Sequence, residues 1–254
     1  MADQAKQTES VRLAGRKLLI TGAASGIGRA CAEIALSAGA SAVLLDSNAD
    51  GVCAVAAAAG GHALPVDLSD ETATAAAVDE AVRLLGGLDG VINCAGVSSL
   101  CPIDQMDSAL WNRTLAINLT APFVICRAAL PALREKGGTI VNVASGMGLV
   151  PDAANTTAYA ASKGGLIALT KALAAELAPS IRANVVCPGL TETPMVAHMI
   201  NKDEATRAAS VARYAMRRPA EPSEIARVIL FLTSHDASFV TGATVAADGG
   251  RTFH

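Results

Sequence analysis

Short apolar, β-branched runs alternate along the chain with longer segments rich in Ala and Leu. The runs at Lys17–Thr21, Ser41–Asp46, Ala63–Val66, Gly90–Asn93, Thr139–Ala144, Arg182–Cys187 and Ala243–Ala246 predict seven strands. Several, such as Val43-Leu44-Leu45 and Ile140-Val141-Asn142-Val143, are almost continuously apolar. A strand with one wet face would alternate, so these runs fit a parallel sheet covered on both sides. The intervening segments predict helices over Gly26–Ala38, Ala49–Ala59, Ser69–Leu85, Asp107–Glu135, Ala158–Leu177 and Pro222–Thr233. Gly39 and Gly60 sit where a helix C-terminus needs a left-handed residue. Pro222 sits where the first helical position tolerates proline. The alternation predicts an α/β fold, a doubly wound and mostly parallel seven-stranded sheet with helices on both faces, as one domain over residues 1–254. Residues 1–14 read as a polar tail. Thr191–Arg218 breaks the alternation and is expected to form a small helical lid over a site.

Composition narrows the class. Apolar residues are 52% of the 254, much of it Ala, and aromatics are only 3%. A net charge of −3 advertises no broad basic surface, so neither nucleic acid nor an anionic membrane is an expected partner. The mean hydropathy of +0.40 reflects alanine-rich helices. The N-terminal segment is polar, with no apolar region of the secretory kind, and the expected location is cytoplasmic. Cys31, Cys53, Cys94, Cys101, Cys126 and Cys187 form no C-x-x-C pair, and His62, His198, His235 and His254 show no ligand spacing. Reduced thiols and no metal are expected.

Two motifs carry chemistry. Leu18-Leu19-Ile20 runs into Thr21-Gly22-Ala23-Ala24-Ser25-Gly26-Ile27-Gly28. Such glycines permit a tight turn and close backbone approach to a pyrophosphate, and the helix that follows offers free N–H groups and a positive dipole end. Asp46 ends the second predicted strand eighteen positions after Gly28, near the ~20-residue offset of a ribose-binding acid. Tyr159 and Lys163 lie one helical turn apart, so a phenol and an ammonium point the same way. Asp67-Leu68 and Asn93-Cys94-Ala95-Gly96 each close a strand at the carboxyl edge of the sheet, where ligands bind in open α/β folds.

Over residues 12–250 the chain resembles the short-chain dehydrogenase/reductase superfamily in its single-domain form. The resemblance is carried by Thr21–Gly28, Asp67, Asn93–Gly96, Asn118, Ser145, Tyr159–Lys163, Pro188-Gly189-Leu190-Thr191-Glu192-Thr193 and the C-terminal Thr241-Gly242 and Asp248-Gly249-Gly250. It implies a Rossmann-fold oxidoreductase moving a hydride between NAD and a secondary alcohol or ketone. Tyr159 would be the acid/base, its phenolate favoured by the charges of Lys163 and the oxidised nicotinamide. Ser145 would hydrogen-bond the substrate oxygen, Lys163 would also hold ribose hydroxyls, and Asn118 would hold a water. Gly22, Ser25, Gly26, Ile27, Gly28, Asp46, Asp67, Leu68, Asn93, Ala95 and Gly96 would bind the adenosine and phosphate portions. Pro188, Gly189, Thr191 and Thr193 would border the nicotinamide, with Thr191 the carboxamide partner. A homotetramer or homodimer is implied.

Two departures stand out. Cys94 replaces the second Asn of the family's N-N-A-G motif, and fourteen positions separate Ser145 from Tyr159, one more than usual. Asp46, with Ala24, Ser25 and Ser47 in place of cations, favours NAD over NADP. An NADPH-dependent reductase of carrier-bound 3-oxoacyl groups and a non-catalytic NAD-binding regulatory protein are the alternatives. Met195, Val196, Met199, Ile200, Met147, Leu149 and Val150 predict apolar surroundings for the substrate.

Overall fold

The computed structural model describes residues 12–200 and 203–252, without the side chains of residues 198–200. Most of the expected tail, the Met199 and Ile200 side chains and His254 lie outside the described residues. The strands are β1 (Lys17–Thr21), β2 (Ser41–Asp46), β3 (His62–Pro65), β4 (Gly90–Asn93), β5 (Thr139–Val143), β6 (Arg182–Pro188) and β7 (Thr244–Ala247). They form one sheet in the order β3-β2-β1-β4-β5-β6-β7, with every neighbouring pair parallel. The helices are α1 (Gly26–Ser37), α2 (Ala49–Ala59), α3 (Glu71–Leu85), α4 (Ser108–Leu115), α5 (Ala121–Lys136), α6 (Thr157–Leu177), α7 (Pro194–Ile200), α8 (Glu204–Val211) and α9 (Pro222–Thr233).

Local chemistry sets the helix ends. Asn48 accepts the Gly51 N–H and starts α2. Asp70 accepts the Ala73 N–H, so α3 begins at Glu71 and not at the expected Ser69. Around Pro222, Glu221 and Glu224 form a reciprocal capping box at the start of α9. The left-handed Gly60 ends α2.

The five inner strands are largely buried on both faces, whereas the edge strands β3 and β7 are partly exposed, and the buried residues divide between two cores. Leu18, Ile20, Leu44, Ile92 and Val141 pack with residues of α1, α2 and α9. Leu19, Val43, Leu45, Val91 and Ile140 pack with residues of α3, α5 and α6. Each such Leu or Ile contributes roughly 1.5–3 kcal/mol by leaving water, which explains why the strands read as apolar runs.

The helix expected over Asp107–Glu135 is present as a continuous helical run, Ser108–Lys136, with one irregularity inside it. A π-helical turn at Ala116–Thr120 separates α4 from α5, and the Ala121 N–H reaches back five residues to the Ala116 carbonyl. The wide turn carries Asn118, whose side chain is turned inward onto the Val97 backbone. The run Ser108–Lys136 has the length and hydropathy of a membrane span. Its Ala121, Ile125, Cys126, Ala129 and Leu133 are nevertheless packed into the core beside α3.

Strand order reverses between β1 and β4, so the loops leaving these strands diverge and open a crevice. Thr21 holds the crevice floor: its Oγ1 accepts the Cys94 N–H at 3.1 Å and the Ala95 N–H at 3.0 Å.

Candidate active site

A cleft of about 350 Å³ lies at the carboxyl ends of the strands, over this crevice. Gly22, Ser25, Gly26, Ile27, Gly28, Asp46, Asp67, Leu68, Ala95, Gly96, Ser145, Tyr159, Lys163, Pro188, Gly189, Thr191 and Thr193 all line it. These residues span most of the chain, yet they meet at one sheet edge.

At one end the glycines are fixed by close packing. A Cβ on Gly28 would stand 2.2 Å from the Gly22 carbonyl oxygen, and one on Gly22 would stand 2.8 Å from the Ala95 backbone. Gly26 has φ +55°, a conformation that L side chains rarely adopt. Ser25 makes no side-chain cap to α1, and no acid occupies the first turn. The first amides of α1 therefore keep their donors for an anion in the cleft. Across from them Asp46 is fixed by the Ala24 N–H at 3.0 Å and the Asn48 N–H at 2.9 Å. These observations fit a dinucleotide's pyrophosphate and adenosine ribose.

At the other end stand three groups with complementary chemistry. Ser145, just past β5, accepts the Met147 N–H at 3.1 Å, which leaves its own O–H to donate. Tyr159 and Lys163 project from the first turns of α6. Lys163 is buried, and its Nζ donates to the Val143 carbonyl at 2.8 Å, leaving two N–H donors. Burial lowers the Lys163 pKa to about 8.

The expected depression of the Tyr159 phenol does not appear in the protein alone. Burial pushes it above the ordinary tyrosine range, although the Ser145 hydroxyl pulls the other way. The Lys163 ammonium sits 5.9 Å from the ring centroid, too far and too committed to Val143 to reverse this.

Two expected site residues do not face the cleft. Asn93 is turned into the core, donating to Asn142 Oδ1 at 2.8 Å. Asn118 is fully buried, accepting the Val97 N–H at 2.8 Å and donating to the Val97 carbonyl and Ser162 Oγ, each at 3.0 Å. Its side chain is committed to protein and has little capacity left for a water. It does stand beside Lys163, because a Cβ on Gly96 would lie 3.3 Å from both Asn118 Oδ1 and Lys163 Nζ.

Several lining residues carried no sequence signal. Arg113, on α4, lines the cleft and draws down the Asp67 carboxyl, an effect smaller than that of the Ser69 hydrogen bonds. Val97, Ile117, Val143, Ala144 and Pro194 add apolar surface beside Met195 and Val196, the two described residues of the apolar set expected around the substrate that line the cleft. Cys94 also lines the cleft, and burial raises its thiol to about 12, so it is a neutral, inert group there. All six cysteines are free; Cys31, Cys126 and Cys187 are buried and Cys53 is exposed.

Comparison with known proteins agrees with this geometry. A family model described as enoyl-(acyl carrier protein) reductase matches residues 22–252. The cis-4-hydroxycyclohexanecarboxylate dehydrogenase of Sinomonas cyclohexanicum is 41% identical over 246 residues, 94% of this chain and 97% of that one. A short-chain dehydrogenase/reductase, glucose/ribitol dehydrogenase, from Brucella melitensis superposes with a TM-score of 0.90 at 37% identity, covering 96% of this chain and 100% of that one. A blue fluorescent protein from a metagenomic library, solved in complex with NADPH, gives a TM-score of 0.89 at 31% identity over 95% of this chain and 99% of that one.

Proposed function

Since the chain belongs to the short-chain dehydrogenase/reductase superfamily and is an oxidoreductase of secondary alcohols and ketones, we propose that it works with NAD, through Ser145, Tyr159 and Lys163, on a substrate with an apolar body. The observation that carries the reading is convergence. Ser145, Tyr159 and Lys163 share one cleft with a glycine-rich turn and the Asp46 carboxylate.

Bound nicotinamide supplies the hydride acceptor, or the donor in the reverse direction. The protein supplies position and proton transfer. Tyr159 Oη takes the alcohol proton in oxidation and returns it in reduction. Ser145 Oγ, its lone pair engaged by Met147, donates to the same substrate oxygen and fixes it beside the phenol. Lys163 keeps two donors for ribose hydroxyls while Val143 anchors it. Asn118 holds the Gly96–Val97 backbone against Lys163 and so shapes this wall. Thr191, whose Oγ1 donates to the Gly189 carbonyl at 3.1 Å, keeps its oxygen lone pairs for a carboxamide N–H.

Asp46 supports NAD over NADP, because a 2′-phosphate would meet a carboxylate held by two backbone amides. The competing reading, an NADPH-linked reductase of carrier-bound 3-oxoacyl groups, draws on Arg113 as a cation in the cleft. That guanidinium acts on Asp67, on the loop after β3, and so does less to offset Asp46. Val143, Ala144, Pro188, Met195 and Val196 favour a substrate with an apolar body, and the similarity to a hydroxycyclohexanecarboxylate dehydrogenase supports an alicyclic secondary alcohol. The reading includes a cytoplasmic homotetramer or homodimer. Phe123 on α5 is 43% exposed with Arg127 stacked over it, an outer face suited to a second copy.

The test is an initial-rate screen with NAD against alicyclic alcohols, polyols, steroids and hydroxy acids, with light scattering on the same sample. Turnover of alicyclic alcohols supports the reading. Activity confined to polyols, or to NADPH with acyl thioesters, overturns it, and a monomer at micromolar concentration removes the assembly.

A further inference from the structure

The loop from Gly146 to Thr156 joins Ser145 to the helix that carries Tyr159, so its placement sets the spacing of the two groups. It holds only one short 3-10 turn, at Gly146–Gly148. Its inner side rests on Arg251, a guanidinium only 6% exposed. Arg251 Nη2 donates to the Val150 carbonyl at 3.2 Å and to Asp152 Oδ1, and it lies 3.0 Å from Met147 Sδ. Arg251 Nη1 fills the space where a Cβ on Gly146 would be, 2.8 Å away. The other Asp152 oxygen accepts from Arg213, in the stretch that follows α8. The neighbouring Tyr214 packs on Gly189, whose Cβ would stand 2.9 Å from Tyr214 Cε1, and Gly189 lines the cleft.

We infer that Asp152 is a two-sided latch: buried Arg251 fixes the loop from within, and Arg213 ties it to the segment after α8, so that Arg213 positions the substrate wall. The geometry assigns the two arginines unequal roles. Arg251 is buried, and a buried cation without its carboxylate is strongly destabilising, so this half is structural. The Arg213 half is 46% exposed against 37% for Asp152, so it is open to water and salt. An exposed pair contributes little to folding, yet it is well placed to hold one loop against another. The latch as a determinant of substrate affinity rests on the secondary-alcohol reading of the Ser145 and Tyr159 site.

The test uses Arg213→Gln and Arg213→Lys in the full chain. In Arg213→Gln, amide exchange across residues 146–158 should quicken several-fold at low salt. KM for a secondary alcohol should rise about fivefold, the ceiling for an exposed pair, with kcat nearly kept. NADH affinity and Tm should stay at the wild-type values. Arg213→Lys should restore most of both effects. The wild-type KM should rise between about 0.05 and about 0.5 M salt, as screening loosens the pair, and the Arg213→Gln value should not. Unchanged exchange and KM in Arg213→Gln would overturn the latch, and so would a loss of Tm or NADH binding of the same size, which marks a general folding role. The exchange arm needs no substrate. If the wild type turned over no alcohol, the functional reading would fail while exchange still decided the latch.

Discussion

Asp46 accepts the Ala24 N–H through Oδ2 at 3.0 Å, which fastens the end of β2 to the glycine-rich turn after β1. The bond holds a carboxylate still at the rim of the cleft, with Ser47 as its neighbour. A rigid acceptor suits the two hydroxyls of a ribose. It opposes a 2′-phosphate, because like charges brought together cost several kcal/mol and each ~1.4 kcal/mol is tenfold in affinity. We expect kcat/KM with NAD to exceed that with NADP by about a hundredfold or more. Asp46→Ala with Ser47→Arg should narrow or reverse the ratio. Equal efficiency with both cofactors in the unaltered protein would remove Asp46 from its role.

A second expectation concerns the turn itself. The Cβ of Gly28→Ala would fall 2.2 Å from the Gly22 carbonyl oxygen and 3.0 Å from that of Thr21. Both obstacles are backbone, so the turn must move, and overpacking of this kind costs about 1–3 kcal/mol. Gly28→Ala should lower the urea midpoint by a corresponding amount and weaken NADH binding. Gly60→Ala makes a useful contrast. Nothing lies within 4 Å of its Cβ, but its φ is +84°, so its smaller cost is conformational and NADH binding should survive. If Gly28→Ala bound NADH normally at unchanged stability, the close packing of the turn would not matter.

Much of this was legible in the sequence because the signals are local. The seven strands, the strand-to-helix glycines and the Tyr159–Lys163 pair each follow from residues close together in the chain. The errors were of two kinds. Boundaries moved by a residue or two where a single side chain decides them, as when the Asp70 cap starts α3 at Glu71 and not at Ser69. Features made by distant segments left no trace. Asn118 on the π-turn meets Val97, and the Asp152 latch joins Arg213 and Arg251, none of which is a neighbour in sequence. The inward turn of Asn93 toward Asn142 is likewise a contact between two strands. The phenol's raised pKa reflects burial by the whole domain, which no short motif encodes.

Lys163 offers a stability measurement independent of turnover. Its folded pKa of about 8 lies below the ordinary value of 10.5. Between those values the unfolded chain binds more protons than the native protein, so stability from this group rises with pH across the window and is lost as pH falls through about 8. At ~1.36 kcal/mol per unit the full effect is on the order of 3 kcal/mol. Lys163→Met removes the titration. The Tm of Lys163→Met should exceed that of the wild type by most below pH 8, and the gap should narrow as pH climbs toward 10.5. A gap that stays constant across the range would show that burial does not penalise the ammonium.

The final expectation separates proton transfer from binding. Tyr159→Phe keeps the ring and removes the phenol oxygen that the Ser145 hydroxyl meets, so turnover should fall by ~10²–10⁴-fold with NADH affinity nearly unchanged. The pH profiles should then identify the group. In the protein alone burial raises the phenol, so it is protonated at neutral pH and already carries the proton that ketone reduction needs. Oxidation needs the opposite form. We therefore expect kcat/KM for alcohol oxidation to rise with pH and for ketone reduction to fall, both through one ionisation. A bound oxidised nicotinamide adds positive charge and should bring that ionisation below the unliganded value. Parallel profiles in the two directions, measured where hydride transfer limits the rate, would exclude Tyr159 as the shared acid and base.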